Sequence, residues 1–595
     1  MDPEKVAPVL AEAPSLSPKP TRAGSWARSR VARVLLPVCM VSLWLASGHM
    51  GCLYHSAEKH VVRVEPPAIT ELCPQVEAVA PSAQFGELTS ALDASLKEDE
   101  VKSWAIESLA AAVRIPSISY DGMDPPGTDP RFEIFASFHK YLAERFPLAH
   151  KTLEQTKVNT YALLYHWQGS DASLKPLILT AHQDVTPVLE DTLDQWLHPP
   201  FSGHFDGTWI WGRGSCDDKS GLISIMSAIE LMLQTGYKPT RTVVLSFGID
   251  EESSGPYGAG ALADYIVDVY GKNSFAFLVD EGGRYANHDG VVIASPGVAE
   301  KGYINVQMEI TNLGGHSSVP TPHTGIGLMA AMVKALEDNP FPTALLRDRT
   351  YFANLQCAAA YDSSLAPERV QLITNATVDD AALEELHETL LSEGGNLYRA
   401  ITGTTQAIDI IKAGVKVNAL PERTYVAINH RVADYSDYDA VKTRYANVLA
   451  PVAAKYNLTL DVFGNSYGSG PAFGHLKITT AFDEPVPPAP DAPTYGSTPW
   501  ALLAGTIRST LLDGHRPDLP KAESAAVAPM LGLGTTDTKY YSRLTPYIYR
   551  YHHLDSGDSY NGAHTVNEAM KAEGFIEMIR FNTRLLLNVD EADMA

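Results

Sequence analysis

The chain has 595 residues, more than one hydrophobic core usually organises, so the sequence predicts more than one domain. Acidic residues outnumber basic ones by 70 to 46, which gives a formal net charge of −24. Nucleic acids bind cationic surfaces, so this balance argues against a nucleic-acid partner. Five cysteines over this length are too few for a disulfide framework, and Cys73 and Cys357 could be free or paired.

The N-terminal region has the pattern of a membrane anchor. Residues 34–54 contain no Asp, Glu, Lys or Arg and are long enough to span a bilayer. Six basic residues and three acids precede them, which predicts a cytosolic tail over 1–33 and a luminal enzyme of type II orientation. A cleaved signal peptide is the alternative. Residues 55–100 are rich in Pro, Ala, Glu and Ser without periodicity, which predicts a luminal stalk.

Three apolar runs, each typical of a buried strand, end in residues able to bind a metal or move a proton. The runs cover 176–181, 242–247 and 275–279, and they are followed by His182 and Asp184, by Glu251 and Glu252, and by Asp280. Ligands gather beyond the carboxyl ends of the strands in an open α/β sheet, so we expect these side chains at one edge. A single Glu-Glu pair is usually a solvated turn, and the repeated pattern favours a functional site here.

The spacing within these motifs indicates which residues could bind a metal and which could act on a substrate. Residues i and i+2 share one strand face, so Asp184 could accept the second ring N–H of His182 and fix the imidazole. Glu251 and Glu252 are adjacent, so one acid could face a metal while the other faces a substrate.

Asp217 lies between the first two runs, in a Gly-rich turn that precedes an apolar helix predicted over 222–233. An acid at that position could be a plain helix cap, because helix N-termini favour negative groups. Its neighbour Cys216 is better explained as a small buried side chain than as a thiolate ligand. Far downstream, His564 follows Gly562 and Ala563 and offers a second imidazole.

Taken in this order, the motifs resemble the co-catalytic zinc peptidases that include carnosinase, aminoacylase and glutamate carboxypeptidase, and among them the fungal vacuolar carboxypeptidase S group. The resemblance runs from about residue 101 to the C-terminal helix. It implies two zinc ions per chain, a catalytic α/β domain with a mixed, largely parallel sheet, and an inserted lid. The metal ligands it implies are His182, Asp217 (bridging), Glu252, Asp280 and His564, with Glu251 as general base and Asp184 as orienting acid.

The lid is expected over 298–480, between catalytic segments 101–297 and 481–595. Apolar and polar residues alternate over 304–310, as in a half-exposed strand, and helical spacing follows at 329–336 and 441–452. Strands and helices in this order predict a two-layer α+β lid. The sequence does not predict the fold of residues 339–400.

The resemblance also implies substrate contacts from the lid and a late loop. His316 resembles the oxyanion stabiliser, and Asn418 and Arg431 resemble groups that grip a free carboxylate. The late loop contributes Thr536, Asp537 and Lys539, with Lys539 where relatives often carry Arg. The residue matching His316 acts across a dimer in some relatives, so a homodimer is one expectation, and an enlarged lid that replaces the partner is the other.

These features predict a membrane-anchored carboxypeptidase that removes the C-terminal residue from short peptides in a vacuolar lumen, with a Gly-Xaa preference implied by the resemblance. An N-acyl-amino-acid amidohydrolase with the same site is the first alternative, and an inactive membrane-bound binding protein is the second. Two sequons, at Asn375 and Asn457, are consistent with a glycosylated luminal domain.

Overall fold

A computed structural model describes residues 66–469, 472–482, 484–514 and 516–594. The described residues all belong to one compact unit, 64–595. The predicted tail, the predicted anchor and the first part of the predicted stalk therefore lie outside the described residues. No helix in the described ranges combines the length and apolar character needed to cross a bilayer.

The helices and strands of the described residues build a catalytic domain and a lid. The α-helices of the described residues are α1 (Gly86–Ser95), α2 (Asp99–Val113), α3 (Ile134–Arg145), α4 (Pro147–Thr152), α5 (Lys219–Gln234), α6 (Ala261–Tyr270), α7 (Gly325–Glu337), α8 (Thr350–Tyr361), α9 (Pro367–Ala376), α10 (Asp380–Thr402), α11 (Tyr438–Lys455), α12 (Thr498–Asp513) and α13 (Ala572–Glu591). The strands are β1 (Glu154–Val158), β2 (Ala162–Trp167), β3 (Leu177–His182), β4 (His204–Phe205), β5 (Trp209–Trp211), β6 (Val243–Gly248), β7 (Phe277–His288), β8 (Val291–Ala294), β9 (Gly297–Glu300), β10 (Gly302–Asn312), β11 (Gly315–His316), β12 (Ala407–Ala413), β13 (Ala419–Leu420), β14 (Arg423–Val432), β15 (Leu458–Val462), β16 (Asn465–Tyr467), β17 (Gly474–Thr480), β18 (Ser524–Val527), β19 (Met530–Gly532), β20 (Ile548–Asp555) and β21 (Ala569–Lys571).

The larger sheet has the order β1-β2-β6-β3-β7-β20-β9-β19, and β8 joins it beside β7 and pairs with β18. Its centre, β6-β3-β7-β20, is parallel, and antiparallel pairs flank that centre. Leu177 and Leu179 of β3 belong to the core on one face, and Ile178 belongs to the core on the other. Burial on both faces explains why these strands are continuous apolar runs. The predicted α/β class with a mixed sheet is confirmed.

A second sheet, ordered β12-β14-β10-β17-β15-β16, forms the lid. Residues Ile304, Val306, Met308 and Ile310 of β10 are buried against helices α7 and α11, as the alternating pattern indicates. The opposite face of the sheet is free to line a cavity. The lid is therefore a two-layer structure with helices on one side only.

Residues 339–400, whose fold the sequence did not predict, contain the three helices α8, α9 and α10. These helices form a small core of their own, to which Leu72 from the N-terminal segment contributes. The Nδ2 atom of Asn354 on α8 donates to the Pro529 carbonyl at 3.1 Å, and Nζ of Lys301 donates to the Ala400 carbonyl at 2.7 Å. The helical insert therefore contacts the catalytic sheet as well as the start of the lid.

A disulfide joins Cys73 to Cys357 on α8, which decides the pairing that the sequence left open. The predicted stalk is wrong for residues 66–100. Leu92 and Leu96 are buried in the main core, and the Val79 amide donates to the Gly505 carbonyl at 2.9 Å. The part of this segment before α1 contacts two hydrophobic cores in turn, so its apolar residues follow no helix or strand period. It packs there as part of the enzyme.

Candidate active site

The carboxyl ends of β6, β3 and β7 meet at one edge because β3 pairs in parallel with both of its neighbours. His182 is the last residue of β3 and lies in register with Gly248, the last residue of β6. Glu251 and Glu252 follow β6 after a short turn. The topology therefore brings together side chains that are 70 residues apart in the sequence.

Asp217 lies between two histidines. Its Oδ1 is 3.0 Å from Nε2 of His182, and its Oδ2 is 3.1 Å from Nε2 of His564. Oε2 of Glu252 lies 2.9 Å from the same atom of His564. One carboxylate oxygen for each imidazole is the arrangement expected of a ligand that bridges two ions.

Asp184 holds the neighbouring groups in place. Its Oδ1 is 3.2 Å from Nδ1 of His182 and accepts the Glu251 amide at 3.1 Å, while Oδ2 accepts the Glu252 amide at 3.1 Å. Ser119 donates its hydroxyl to Oδ2 at 2.6 Å. A fully buried carboxylate with these partners fixes both the imidazole and the turn that carries the two glutamates.

The structure places Glu281, and not the predicted Asp280, in this cluster. Oδ1 of Asp280 accepts the Thr180 hydroxyl at 2.6 Å, and the side chain is only 4 % exposed. Oε1 of Glu281 lies 3.5 Å from Nε2 of His182 and lines the cavity. Successive strand residues point to opposite faces, so only one of two adjacent acids can face the site. The sequence pattern signalled an acid at this strand end but not its direction.

The cluster carries more negative than positive groups, and the pKa values respond to that excess. Burial opposes protonation of His182, but the carboxylates of Glu281, Asp184 and Asp217 raise its pKa well above the usual value. Hydrogen bonds to Asp217 and Glu252 raise the pKa of His564 to about 10.

The acids of the cluster respond to the same surroundings. Burial and the nearby charge of Glu281 raise the pKa of Glu251 well above its usual range. Burial and the charge of Asp217 raise the pKa of Glu281 to about 8. A divalent cation bound here would balance the negative charge of the carboxylates and displace the protons that they otherwise retain.

The donor atoms fit such cations. Two groups, His182 with Asp218 and Glu281, and His182 with Asp217 and Glu252, each offer atoms within 4.8 Å of one another. Imidazole nitrogen and carboxylate oxygen are typical zinc ligands. The residues present therefore fit a metal centre.

A cavity of about 590 Å³ opens beside the cluster. The cluster lines part of this cavity, and the lid-sheet face turned away from its helices, together with the loop after β19, lines another part. The lid and loop residues that line the cavity include Tyr303, Asn305, Asn429, Arg431, Thr535, Thr536 and Lys539. Tyr303 pairs with Arg431 and Asn305 with Asn429 across β10 and β14, so two cross-strand pairs face the cavity.

Two cations lie in the part of the cavity lined by the lid and the loop after β19. The guanidinium of Arg431 lies 5.6 Å from the ring centre of Tyr303, and Nζ of Lys539 lies 5.8 Å from the same ring. Nη1 of Arg431 contacts the Thr535 hydroxyl at 3.5 Å. The cavity is therefore lined both by the acidic, metal-fitting cluster and by two cations that share one aromatic ring.

Three predicted substrate residues do not line this cavity. His316 is exposed, with its Nδ1 accepting the Ser318 amide at 3.1 Å, and the Asn418 carbonyl accepts the Ser317 amide at 3.2 Å. His316 is the last residue of β11, and Asn418 directly precedes β13. We call this two-stranded sheet and its adjoining residues the tip of the lid. Asp537 is buried beneath its loop, where burial and the charge of Asp250 raise its pKa. Their predicted contact with substrate needs an arrangement other than this one.

The two sequons occupy different surroundings. Asn375 is half-buried in α9, with its amide oxygen accepting Nε2 of Gln371 at 2.9 Å. Asn457 is exposed just after α11, with a positive φ of 51°. The exposed position is the more accessible of the two to a modifying enzyme.

Comparison with known proteins identifies the family. Residues 178–588 match the model of peptidase family M20/M25/M40. The chain belongs to this family. Carboxypeptidase S of Saccharomyces cerevisiae is 37% identical over 581 residues, which cover 96% of this chain and 98% of that protein. The predicted resemblance and the prediction of a hydrolase of the metallopeptidase class are confirmed.

One further relative and one solved structure are also similar to this chain. The human N-fatty-acyl-amino acid synthase/hydrolase PM20D1 is 30% identical over 492 residues, covering 81% of this chain and 87% of that protein. The crystal structure of human carnosine dipeptidase 1 shares the fold with a TM-score of 0.56 at 15% identity, covering 86% of this chain and all of that one. The latter likeness concerns the fold alone.

Proposed function

We propose that this protein is a di-zinc carboxypeptidase that removes the C-terminal residue from short peptides. The observation that carries the proposal is a single cavity lined both by the cluster around Asp217 and by the cations Arg431 and Lys539. A peptide with a free C-terminal carboxylate matches this lining, since its terminal charge can meet the cations while the last peptide bond lies over the cluster.

The residues of the cluster would divide between holding metal and moving protons. His182, Asp217 and Glu281 on one side, and Asp217, Glu252 and His564 on the other, would hold the two ions. Bound zinc would supply Lewis acidity and lower the pKa of water.

Glu251 is placed to handle the protons because its side chain lines the cavity while Asp184 fixes its backbone. It would accept the proton of the attacking water and return it to the leaving amine. One carboxylate then serves both halves of the reaction, and Asp184 keeps that carboxylate and His182 in register.

The two cations of the cavity would determine the preference for an exopeptidase substrate. A guanidinium can make two parallel hydrogen bonds to a carboxylate, and Tyr303 keeps Arg431 close to Lys539. His316 and Asn418 would join the substrate only if the lid changed position or a second copy of the chain supplied them. A glycine preference on the acyl side rests on the relatedness to carboxypeptidase S.

The alternative, hydrolysis of N-acyl-amino acids, draws support from the 30% identical PM20D1. A fatty acyl chain needs an extended apolar wall, whereas the walls described here consist mainly of charged and amide side chains and glycines. The same terminal carboxylate would bind in either case. The two functions therefore differ at the acyl side of the cleaved bond.

We place the enzyme in the lumen of a vacuole, anchored through residues 34–54. The Cys73–Cys357 disulfide supports an oxidising compartment, because such bonds are rare where thiols are kept reduced. Glycosylation at the exposed Asn457 fits the same location.

The deciding experiment compares the hydrolysis of an N-blocked Gly-Leu dipeptide, its C-terminal amide and a long-chain N-acyl-leucine. We expect the free-acid dipeptide to be cleaved fastest, the amide to be cleaved at least about 100-fold more slowly, and activity to be lost on chelation and restored by zinc. Faster cleavage of N-acyl-leucine would assign the amidohydrolase function. A metal-loaded protein that cleaves none of the three would support a binding protein.

A further inference from the structure

Glu568 joins the two loops that carry Asp217 and His564. It lies four residues after His564, is only 1 % exposed and does not line the cavity. Its carbonyl accepts the Gly212 amide at 2.9 Å, which continues the pairing of β21 with β5 by one step. The backbone thus already brings the two loops together at this residue.

The carboxylate of Glu568 extends this connection. Its Oε1 accepts the Gly214 amide at 3.0 Å and the Cys216 amide at 2.9 Å, and Oε2 accepts Nη1 of Arg213. Cys216 is the residue directly before Asp217. One buried side chain therefore satisfies the backbone donors that set where the bridging carboxylate emerges.

Arg213 completes the link in the other direction. The same Nη1 lies 3.3 Å from the Thr565 carbonyl, directly after His564, and the guanidinium stacks at 5.6 Å over the ring of Trp196. Glu568 and Arg213 therefore contact the backbone directly before Asp217 and directly after His564. In these two residues, Oδ2 of Asp217 lies 3.1 Å from Nε2 of His564.

We infer that Glu568 is a positioning residue that sets the separation of Asp217 and His564, and so the affinity of the metal position that these two residues share with Glu252. The inference rests on the metal centre of the proposed function. The other position, formed by His182 and Glu281 with Asp217, has contacts of its own through Asp184, two residues after β3, and depends less on Glu568.

The test uses Glu568→Gln, which keeps the shape of the side chain and one oxygen for the backbone amides but loses the charge that holds Arg213. Purified full-length protein is equilibrated with zinc buffered over a range of free concentrations, and zinc per chain is measured by atomic absorption. We expect one of the two zinc affinities of this variant to fall about 10–100-fold, and the other to change much less. Excess zinc should then restore the turnover of the variant, because Glu251 is intact.

Glu577→Gln is the matched control. Glu577 is also a buried glutamate that accepts from an arginine, Arg580 on α13, and it has no contact with the cluster. It should bind zinc as the wild type does.

Arg213→Lys is the second variant if Glu568→Gln does not fold. A lysine can reach the carboxylate or the Thr565 carbonyl but not both in the fork geometry of Arg213, so a smaller loss at the same zinc position is expected. Two wild-type zinc affinities in a folded variant would overturn the inference, and so would an equal loss at both positions that follows a fall in Tm. Wild-type protein that binds no zinc would instead overturn the proposed function.

Discussion

The strand-end cluster and the tip of the lid both carry residues expected to touch the reacting groups. In the structure, only the cluster residues lie together at the cavity. Asp217 lies within 3.1 Å of both His182 and His564, whereas His316 and Asn418 are exposed and outside the cavity. His182, Glu251 and Glu252 lie at or just after the ends of parallel strands, which meet at one sheet edge, and Asp217 and His564 reach them from the loops after β5 and before β21. The lid tip belongs to a separate sheet, and its distance from the cluster depends on how two domains are joined. Groups on one sheet are placed by its topology, whereas groups on two domains are placed by the interface between them.

Arg431 shows that the lid does reach the site from its sheet face. Arg431, on β14, lies directly opposite Tyr303 on β10, with its side chain on the sheet face turned away from the lid core. It therefore lines the cavity. Variants in the two regions therefore separate chemistry at the cluster from recognition by the lid, and they follow in order of expected effect.

The largest effect should come from Glu251→Ala. Removing the group that moves protons should lower kcat by about 1,000-fold while zinc content stays at the wild-type value. Steady-state rates on an N-blocked Gly-Leu dipeptide and atomic absorption on the same sample measure both quantities. A near wild-type rate would show that another group carries the proton.

Glu281→Gln and Asp280→Asn compare two adjacent acids on one strand. Because Glu281 faces His182 and Asp280 faces Thr180, we expect Glu281→Gln to weaken one zinc by more than about 100-fold and Asp280→Asn to keep both ions. Zinc titration of the two purified proteins gives the answer. The reverse result would return the ligand role to Asp280.

His316→Ala tests the lid tip. If His316 stabilises the oxyanion as the resemblance implies, its loss should lower kcat by about 100-fold without changing zinc content. A mixture of inactive His316→Ala and Glu251→Ala proteins should regain activity if a second copy supplies the histidine, and should stay inactive if the lid of the same chain moves. Wild-type turnover of His316→Ala would show that its exposed position is the working one.

Arg431→Ala should act mainly on substrate binding. Losing a charge-assisted contact to the terminal carboxylate should raise KM by about 10–100-fold with a smaller change in kcat. Arg423→Ala, at an exposed position on the same strand, is the control, since its guanidinium contacts only Glu309 at 3.9 Å. Equal KM values for Arg431→Ala and the wild type would remove Arg431 from the substrate site.

The smallest expected effect is on the pH dependence of folding stability, measured for one buried histidine in each domain. Burial lowers the pKa of His139 in the catalytic domain and of His430 in the lid from 6.5 to about 4. The unfolded chain binds these protons first, so folding stability should fall as the pH drops from about 6.5 to 4, by about 2 kcal/mol per histidine at pH 5. Urea unfolding of His139→Gln and His430→Gln at pH 7.5 and 5 should show a smaller pH dependence than the wild type. An unchanged dependence in both variants would contradict this assignment.

The sequence by itself determined where chemistry-bearing residues enter the fold. Short continuous apolar runs are typical of strands buried on both faces, and an acid or histidine at the end of such a run needs a partner, so His182, Glu251 and Glu252 could be predicted. The alternating pattern over 304–310 likewise predicted the first lid strand, because one face of that sheet packs on helices and the other does not.

Only the tertiary structure decided which neighbours actually meet. The direction of two adjacent acids depends on which face of β7 each one occupies, and it is Glu281, not Asp280, that lies 3.5 Å from His182. The Cys73–Cys357 bond, the packing of residues 66–100 and the link through Glu568 join segments hundreds of residues apart. Such contacts leave no local periodicity, because each side chain is selected by a partner that is distant in sequence and close only once the chain has folded.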